Sequence, residues 1–154
     1  MKQTLCAVTS NVEVMPGICL VWIEAPDIAV AAQPGQFITA RCGDFTLRRP
    51  FSVHQSRFNR DSGEGEIALL FKVAGKGTLW LSQREKGDKV DILGPLGKGF
   101  SIPPTKSGKS KHLLLVAGVI GIAPLVFLMQ QTSSRHQITL IHGASTAAQL
   151  YPFF

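Results

Sequence analysis

Residues 73–100 read VAGKGTLWLSQREKGDKVDILGPLGKGF, and this stretch decides the fold. Gly75-Lys76-Gly77-Thr78 follows an apolar segment and predicts a turn into a short helix at Thr78–Arg84, with Thr78 as its N-cap. Lys89–Leu93 is then a β-strand, and Gly94–Phe100 is a glycine-rich loop. Glycines at a helix N-terminus let backbone N–H groups approach a phosphate, although an ordinary capped helix fits the same residues.

The residues before this stretch predict a small β-barrel. Short segments rich in β-formers alternate with turn signals such as Pro16-Gly17 and Pro34-Gly35. Together with Lys89–Leu93 they give six short antiparallel strands and one small helix, which indicates an all-β closed barrel over residues 1–101. The five further strands are expected at Leu5–Val14, Ile18–Glu24, Gln36–Arg41, Phe51–Gln55 and Glu66–Val73.

The residues after the barrel predict a different architecture. Residues 102–111 hold prolines and lysines and form a linker. A strand at 112–117, a helix at 122–131 and a strand at 137–142 then make a βαβ unit, the start of an α/β nucleotide-binding domain over 112–154. Two parallel strands cannot cover their own faces, so this domain is expected to be incomplete, and loosely ordered until a missing segment or a partner covers it.

Composition narrows the class of protein. The chain has 154 residues, a net charge of +6 and a pI near 9.6, but its basic residues are scattered and accompany no nucleic-acid-binding motif. A phosphate-bearing cofactor explains the charge better than nucleic acid. Its cysteines fit no metal or iron–sulfur spacing and are expected to be buried free thiols, so no metal site is predicted. The N-terminus lacks the apolar run of a signal peptide, which favours a cytoplasmic protein. Gly118, Gly121 and Pro124 interrupt the charge-free stretch near residue 120, which argues against a membrane segment.

Two further segments could carry function. Arg48-Arg49-Pro50-Phe51-Ser52 opens a strand, where an arginine could bind a pyrophosphate with its bidentate fork, or could simply be solvated. Residues 118–124, GVIGIAP, form a strand-to-helix turn of the dinucleotide type without the G-x-G-x-x-G spacing. The four histidines lie in no catalytic order and are interpreted as structural or surface residues.

The order of these motifs resembles the ferredoxin reductase superfamily. R-x-F-S, G-x-G-T, G-P-L-G-x-G-F and G-x-x-G-I-A-P follow one another along the chain, and LRRPFSV and LLLVAGVIGIAPLVFL resemble the electron-transfer subunit of bacterial dihydroorotate dehydrogenase, from about residue 8 to residue 150. The resemblance implies a flavin-dependent oxidoreductase subunit with FAD that passes electrons between an iron–sulfur or flavin partner and NAD(H). Its partner would be a catalytic dihydroorotate dehydrogenase subunit of pyrimidine biosynthesis. A sister reductase subunit of the ferredoxin–NADP, sulfide or hydrogenase type, and a non-catalytic FAD-binding remnant, stay open.

The resemblance also implies roles for individual residues. Arg49 would bind the FAD pyrophosphate, together with the turn that contains Gly75, Gly77 and Thr78. Ser52 would be the catalytic residue, near the reactive N5 edge of the flavin. The isoalloxazine ring would lie along Pro50, Phe51 and Ser52. The ribityl side of the flavin would contact Phe71, Lys72 and Val73. A nicotinamide dinucleotide would bind at Gly118, Gly121, Ala123 and Pro124.

The sequence departs from the family at three points. Ala117 and Val119 replace two glycines of the usual G-G-G-I-G turn, and Ser145 stands where the family has an arginine. A β-branched Val119 crowds the approach of a dinucleotide, so weak NADH binding by this chain alone is expected. The family's [2Fe–2S] segment is cysteine-rich and this chain has no such cysteines, so the cluster is not expected in this chain.

Overall fold

The computed structural model describes residues 1–103 and 109–153. Its first part is the closed six-stranded barrel that the sequence predicts, with neighbouring strands antiparallel in the order β1-β2-β5-β4-β3-β6. The elements of the barrel are β1 Lys2–Met15, β2 Ile18–Glu24, α1 Pro26–Ala31, β3 Phe37–Arg41, β4 Arg49–Phe58, β5 Gly65–Lys72, α2 Lys76–Ser82 and β6 Lys89–Leu96.

Several element boundaries differ from the prediction, two of them at the strands β4 and β6, and one helix was not predicted. β4 begins at Arg49 rather than Phe51, so the arginine belongs to the strand and does not precede it. β6 continues to Leu96, into the segment expected to be a loop. The short helix α1 was not predicted; Pro26 occupies its first turn, a position where the missing N–H costs nothing.

The second part is the predicted βαβ unit. β7 His112–Gly118 and β8 Gln137–Gly143 pair in parallel, and α3 Ala123–Thr132 connects them after a short 3₁₀ turn at Val119–Ile122. A second 3₁₀ turn follows at Ala147–Gln149. The middle of the expected linker, residues 104–108, lies outside the described residues, and the domain boundaries stay a prediction.

The βαβ unit packs on the barrel, a contact that the sequence did not predict. Phe127 of α3 is 1% exposed and joins the hydrophobic core of the barrel. A second core cluster unites Ile18 and Leu70 on the outside of the barrel with Ile122 of the second unit. The outer face of the barrel is apolar here, and burial of that face against α3 is stabilising; the expectation of loose order stays a prediction.

The outer face of the β7–β8 sheet is uncovered, as expected for a sheet of only two parallel strands. Leu114, Val116 and Ile141 are 61%, 67% and 54% exposed. These side chains alternate with inward-facing ones along the strands, as the period of a β-strand requires. In residues 1–103 and 109–153 no helix is long and apolar enough to cross a bilayer.

Candidate functional site: a cleft between the barrel and the second unit

A cleft of about 480 Å³ separates the barrel from the second unit. That volume lies within the roughly 300–1,000 Å³ of ordinary ligand pockets. Strands β4 and β5 with helix α2 form one wall, and the turn before α3 forms the other. The lining residues are Pro50, Phe51, Ser52, Leu70, Phe71, Lys72, Thr78, Ile120, Gly121, Ala123 and Pro124.

The barrel wall has an aromatic base and a polar rim. Phe51 packs edge-on against Phe71 with ring centroids 5.3 Å apart, and both side chains belong to the barrel core. Side chains alternate along β4, so Ser52 points out of the core and is half-buried in the cleft. Lys72 is exposed at the end of β5 and contributes a positive charge. The wall can therefore carry a flat apolar ligand whose edge is polar or anionic.

The two neighbouring arginines have separate tasks. Arg48 forms an ion pair with Asp91, and its Nη1 also donates to the Asp91 carbonyl oxygen at 3.1 Å, which ties the residue before β4 to β6. Arg49 carries no acidic partner among the described ion pairs; its Nη1 donates to the Leu47 carbonyl at 3.1 Å. Its side chain runs beside the buried Gly77, where an added Cβ atom would lie 3.2 Å from Arg49 Nε. Arg49 is thus the arginine that faces the glycine turn.

The helix α2, which follows the glycine turn, begins earlier than predicted. α2 starts at Lys76 with Gly75 as its N-cap, so the expectation that Thr78 is the N-cap was wrong. The Thr78 hydroxyl instead accepts from the N–H groups of Ala74 and Gly75, at 2.9 and 3.1 Å, and donates to the Gly75 carbonyl at 3.0 Å. A hydroxyl has one proton and two lone pairs, so these bonds use its full capacity. Thr78 therefore shapes the turn. The backbone N–H groups in the first turn of α2 are the donors that a ligand could bind.

The opposite wall is a strained turn. Val119, in the place of a family glycine, has a φ of 39°, in the left-handed region that a β-branched residue rarely adopts. Gly121 is exposed to the cleft, and an added Cβ atom there would meet no atom within 4 Å. The turn is thus open at Gly121 and conformationally costly at Val119.

A buried histidine connects the two walls. His54 of β4 is fully buried; its Nδ1 lies 2.7 Å from the Ala123 carbonyl oxygen, and its Nε2 lies 2.9 Å from the Tyr151 hydroxyl. Burial lowers the pKa of His54 to about 4, because the charged form loses its hydration. The sequence interpretation of the histidines as structural agrees with this position, but nothing in the sequence pointed to its two partners.

Most of the predicted binding residues meet at this cleft. Ser52, Phe71 and Lys72 line the barrel side, with Pro50, Phe51 and Thr78, while Gly121, Ala123 and Pro124 line the other side. Arg49, Gly75 and Gly77 are not lining residues; Arg49 precedes the lining residue Pro50 in β4, and the glycine turn leads into the lining residue Thr78. Val73 packs against the barrel core and Gly118 ends β7, so neither is among the lining residues. Leu70 and Ile120 were missed, although each is next to a predicted residue.

A larger groove of about 560 Å³ lies on the far side of α3. Trp22, with Arg57 stacked 3.9 Å above its ring, and Met129 and Phe153 are among its lining residues. It includes neither a glycine turn nor a helix start, so it lacks the backbone donors that a phosphate needs. The smaller cleft is therefore the better candidate for a nucleotide cofactor.

The cysteines are buried and unpaired, as the sequence predicts. Burial raises the pKa of the Cys6, Cys19 and Cys42 thiols. Among the described residues, no three histidine, cysteine or acidic side chains are grouped closely enough to hold a metal ion.

Comparison with known proteins agrees with this architecture, although no family model matches the chain. The electron transfer subunit of dihydroorotate dehydrogenase B (NAD(+)) from Desulforamulus reducens is 45% identical over 135 residues, which are 85% of this chain and 48% of that protein. The corresponding subunit from Fusobacterium nucleatum is 33% identical over 92% of this chain and 53% of its own length. The chain spans about half the length of the curated relatives it matches.

Solved structures give the same fold. The NADH-dependent reduced ferredoxin-NADP oxidoreductase matches 97% of this chain and 52% of its own, with a TM-score of 0.81 and 29% identity. A ferredoxin NADP+ reductase from Neisseria gonorrhoeae, solved with bound FAD and NADP, matches 97% of this chain and 60% of its own, with a TM-score of 0.72 and 20% identity. The barrel and βαβ unit therefore define a protein of the ferredoxin reductase-like class. Within that class, the chain is similar to the electron transfer subunits of dihydroorotate dehydrogenase B over about half of their length.

Proposed function

We propose that this chain binds FAD in the cleft between the barrel and the second unit, as part of an electron-transfer flavoprotein. The observation that carries the proposal is the position of Arg49 against the buried Gly77, beside a cleft with an apolar base. A cationic fork next to a side-chain-free turn and a helix start is a fitting site for a pyrophosphate. The bound flavin would supply the redox chemistry, and the protein would supply binding, orientation and electrostatics.

The residues around the cleft divide the work of binding. Arg49 would hold the pyrophosphate, and Gly77 would let it approach the first-turn N–H groups of α2. Ser52 would hydrogen-bond the polar edge of the ring system and orient it, which is the catalytic role that the family resemblance gives it. Lys72 would balance negative charge at the cleft mouth, since it is exposed there.

The relatives suggest the reaction in which such a flavin would serve. The most informative are named as electron transfer subunits of dihydroorotate dehydrogenase B (NAD(+)). We infer that this chain takes part in passing electrons between a catalytic dihydroorotate dehydrogenase subunit and NAD, in the cytoplasm and in pyrimidine biosynthesis. The family's iron–sulfur cluster would lie outside this chain, because its three cysteines are buried and dispersed.

A second candidate is a sister reductase. The 29% identity to an NADH-dependent reduced ferredoxin-NADP oxidoreductase favours it. Co-expression separates the two: stable co-purification with a dihydroorotate dehydrogenase catalytic subunit supports the first, and capture only by a ferredoxin supports the second. Flavin binding without capture by either partner is the result expected of a non-catalytic remnant.

A spectral titration tests the binding proposal itself. The purified chain is titrated with FAD, FMN and riboflavin while the visible flavin absorbance is followed. FAD should bind at least about tenfold more tightly than FMN, because only FAD has a pyrophosphate to offer Arg49 and α2. Equal affinity for FAD and riboflavin would reject the pyrophosphate site, and a chain that ignores all three would reject flavin binding.

A further inference from the structure

Histidine side chains hold both ends of the turn that forms the outer wall of the cleft. At the start of the turn, His142 Nε2 lies 3.1 Å from the Val119 carbonyl oxygen. At its end, His54 Nδ1 lies 2.7 Å from the Ala123 carbonyl oxygen. A carbonyl oxygen only accepts hydrogen bonds, so each of these ring nitrogens carries its proton and donates.

Tyr151 joins the two histidines. Its hydroxyl lies 2.9 Å from His54 Nε2, and its backbone N–H donates to His142 Nδ1 at 3.4 Å. Burial keeps His54 neutral, so with its proton on Nδ1 its Nε2 is the acceptor and the Tyr151 hydroxyl is the donor. A backbone N–H can only donate, so His142 Nδ1 is an acceptor as well. These contacts require two neutral imidazoles in opposite tautomers.

His54 reaches the turn from the strand that also forms the inner wall. Phe51 and Val53 point into the barrel core, so Ser52 and His54 point outward. The pairing of β4 with β5 shifts its register between Val53 and Gln55, which places His54 at an irregularity of the strand. One strand thus lines the cleft through Ser52 and, two residues later, holds the opposite wall through His54.

We propose that His54, Tyr151 and His142 form a clamp of positioning residues that fixes the turn at 119–123 against the barrel and thereby sets the width of the cleft. The naming of the cleft as a flavin site rests on the proposed function, whereas the clamp concerns only this chain's own contacts. Val119 at a φ of 39° supports the clamp, because a strained backbone persists only where its surroundings hold it. The clamp gives that support at the carbonyl of the strained residue itself.

The tautomers of the histidines test the clamp without any substitution. Long-range ¹H–¹⁵N spectra of the ¹⁵N-labelled full chain near neutral pH distinguish protonated from bare ring nitrogens. The clamp requires His54 to carry its proton on Nδ1 and His142 on Nε2. A His54 protonated on Nε2 would leave the Ala123 carbonyl without its donor and would overturn the proposal.

Hydrogen exchange tests whether the clamp holds the turn. His54→Phe keeps a ring but removes both bonds; amides of residues 119–129 should then exchange about tenfold faster, with those of β2 unchanged. His54→Asn places an amide donor where Nδ1 was and should restore exchange to within about threefold of the parent. His112→Asn is the matched control, since His112 contacts Thr139 in the same unit and takes no part in the clamp.

Three hydrogen-exchange results would contradict the clamp. Unchanged exchange at 119–129 in folded His54→Phe, or equal acceleration in β2, would show that His54 does not position the turn. If His54→Phe does not fold, Tyr151→Phe removes one hydroxyl only and should accelerate exchange at the turn by about threefold; no acceleration would overturn the clamp. All these measurements use flavin-free protein, so a parent chain that fails to bind FAD would refute the proposed function and leave the clamp to be judged separately.

Discussion

The Nε atom of Arg49 lies 3.2 Å from the point at which Gly77 would carry a Cβ atom. This relationship explains why a glycine occupies the second position of α2, since any side chain there would press on the arginine. It also joins two motifs that lie apart in the sequence, the arginine of β4 and the glycine turn after β5. The pair makes a cationic, backbone-lined edge to the cleft.

Gly77→Ala is predicted to weaken FAD binding roughly tenfold, because the new methyl group displaces Arg49 from the glycine turn. The fold should persist, since Gly77 does not have a positive φ and alanine is a good helix former. Gly143→Ala is the control: its Cβ would meet nothing within 4 Å, and its FAD affinity should match the parent. Equal FAD dissociation constants for parent and Gly77→Ala would show that the contact is unimportant.

Val119→Gly is predicted to change the free energy of unfolding by less than about 1 kcal/mol, because relief of the strain at a φ of 39° offsets the loss of a side chain that packs against the second core cluster. Thermal unfolding measures this change, and Val116→Gly is the control. Val116 lies within β7, where glycine weakens a strand, so its substitution should lower the melting temperature. A melting temperature for Val119→Gly that falls as far as that of Val116→Gly, or further, would contradict the assignment of strain.

NADH-driven reduction gives an independent prediction for the same turn. We expect the parent chain with added FAD to be reduced slowly by NADH under anaerobic conditions, because Val119 occupies a glycine position. Val119→Gly should be reduced faster, since it restores the glycine that the family resemblance places in this turn. Rapid bleaching of the parent flavin by micromolar NADH would contradict this prediction.

The pH dependence of stability should carry a signature of His54. Its pKa falls from 6.5 to about 4 on folding, so the unfolded chain takes up the proton first as the pH drops. The contribution of neutral His54 to the free energy of unfolding is therefore fully present above pH 6.5. It decreases as the pH falls toward 4, by roughly 3 kcal/mol in total. Denaturant unfolding at several pH values measures this loss, with His54→Asn as the reference because asparagine does not titrate. Parallel pH profiles for the two proteins would contradict it.

The sequence predicted the barrel well because its signals are local. The β2 strand was predicted at Ile18–Glu24 and is found there, between a Pro-Gly turn and a proline that starts α1. The helix α1 was missed because six residues are too few to display a helical period. The start of α2 was misplaced because threonine is a common N-cap, whereas here its hydroxyl closes the turn from within the helix.

The site was predicted only where a motif carried it. Ser52 and Gly121 belong to family motifs, and the structure brings both to the same cleft. His54 could not be predicted, because Ala123 and Tyr151 lie 69 and 97 residues away along the chain. Contacts of that range depend on how the second unit packs on the barrel, which no local pattern of residues reports.

The central claim is that Arg49 and the glycine turn make this cleft a site for FAD. The most direct measurement is the FAD dissociation constant of the parent chain, Arg49→Ala and Arg60→Ala, which loses the same charge from an exposed turn. Losing a charge-assisted contact should weaken binding in Arg49→Ala by about 1.5–3 kcal/mol, roughly ten- to hundredfold, and Arg60→Ala should match the parent. An FAD affinity that is the same in all three proteins, or no FAD binding by the parent, would contradict the claim.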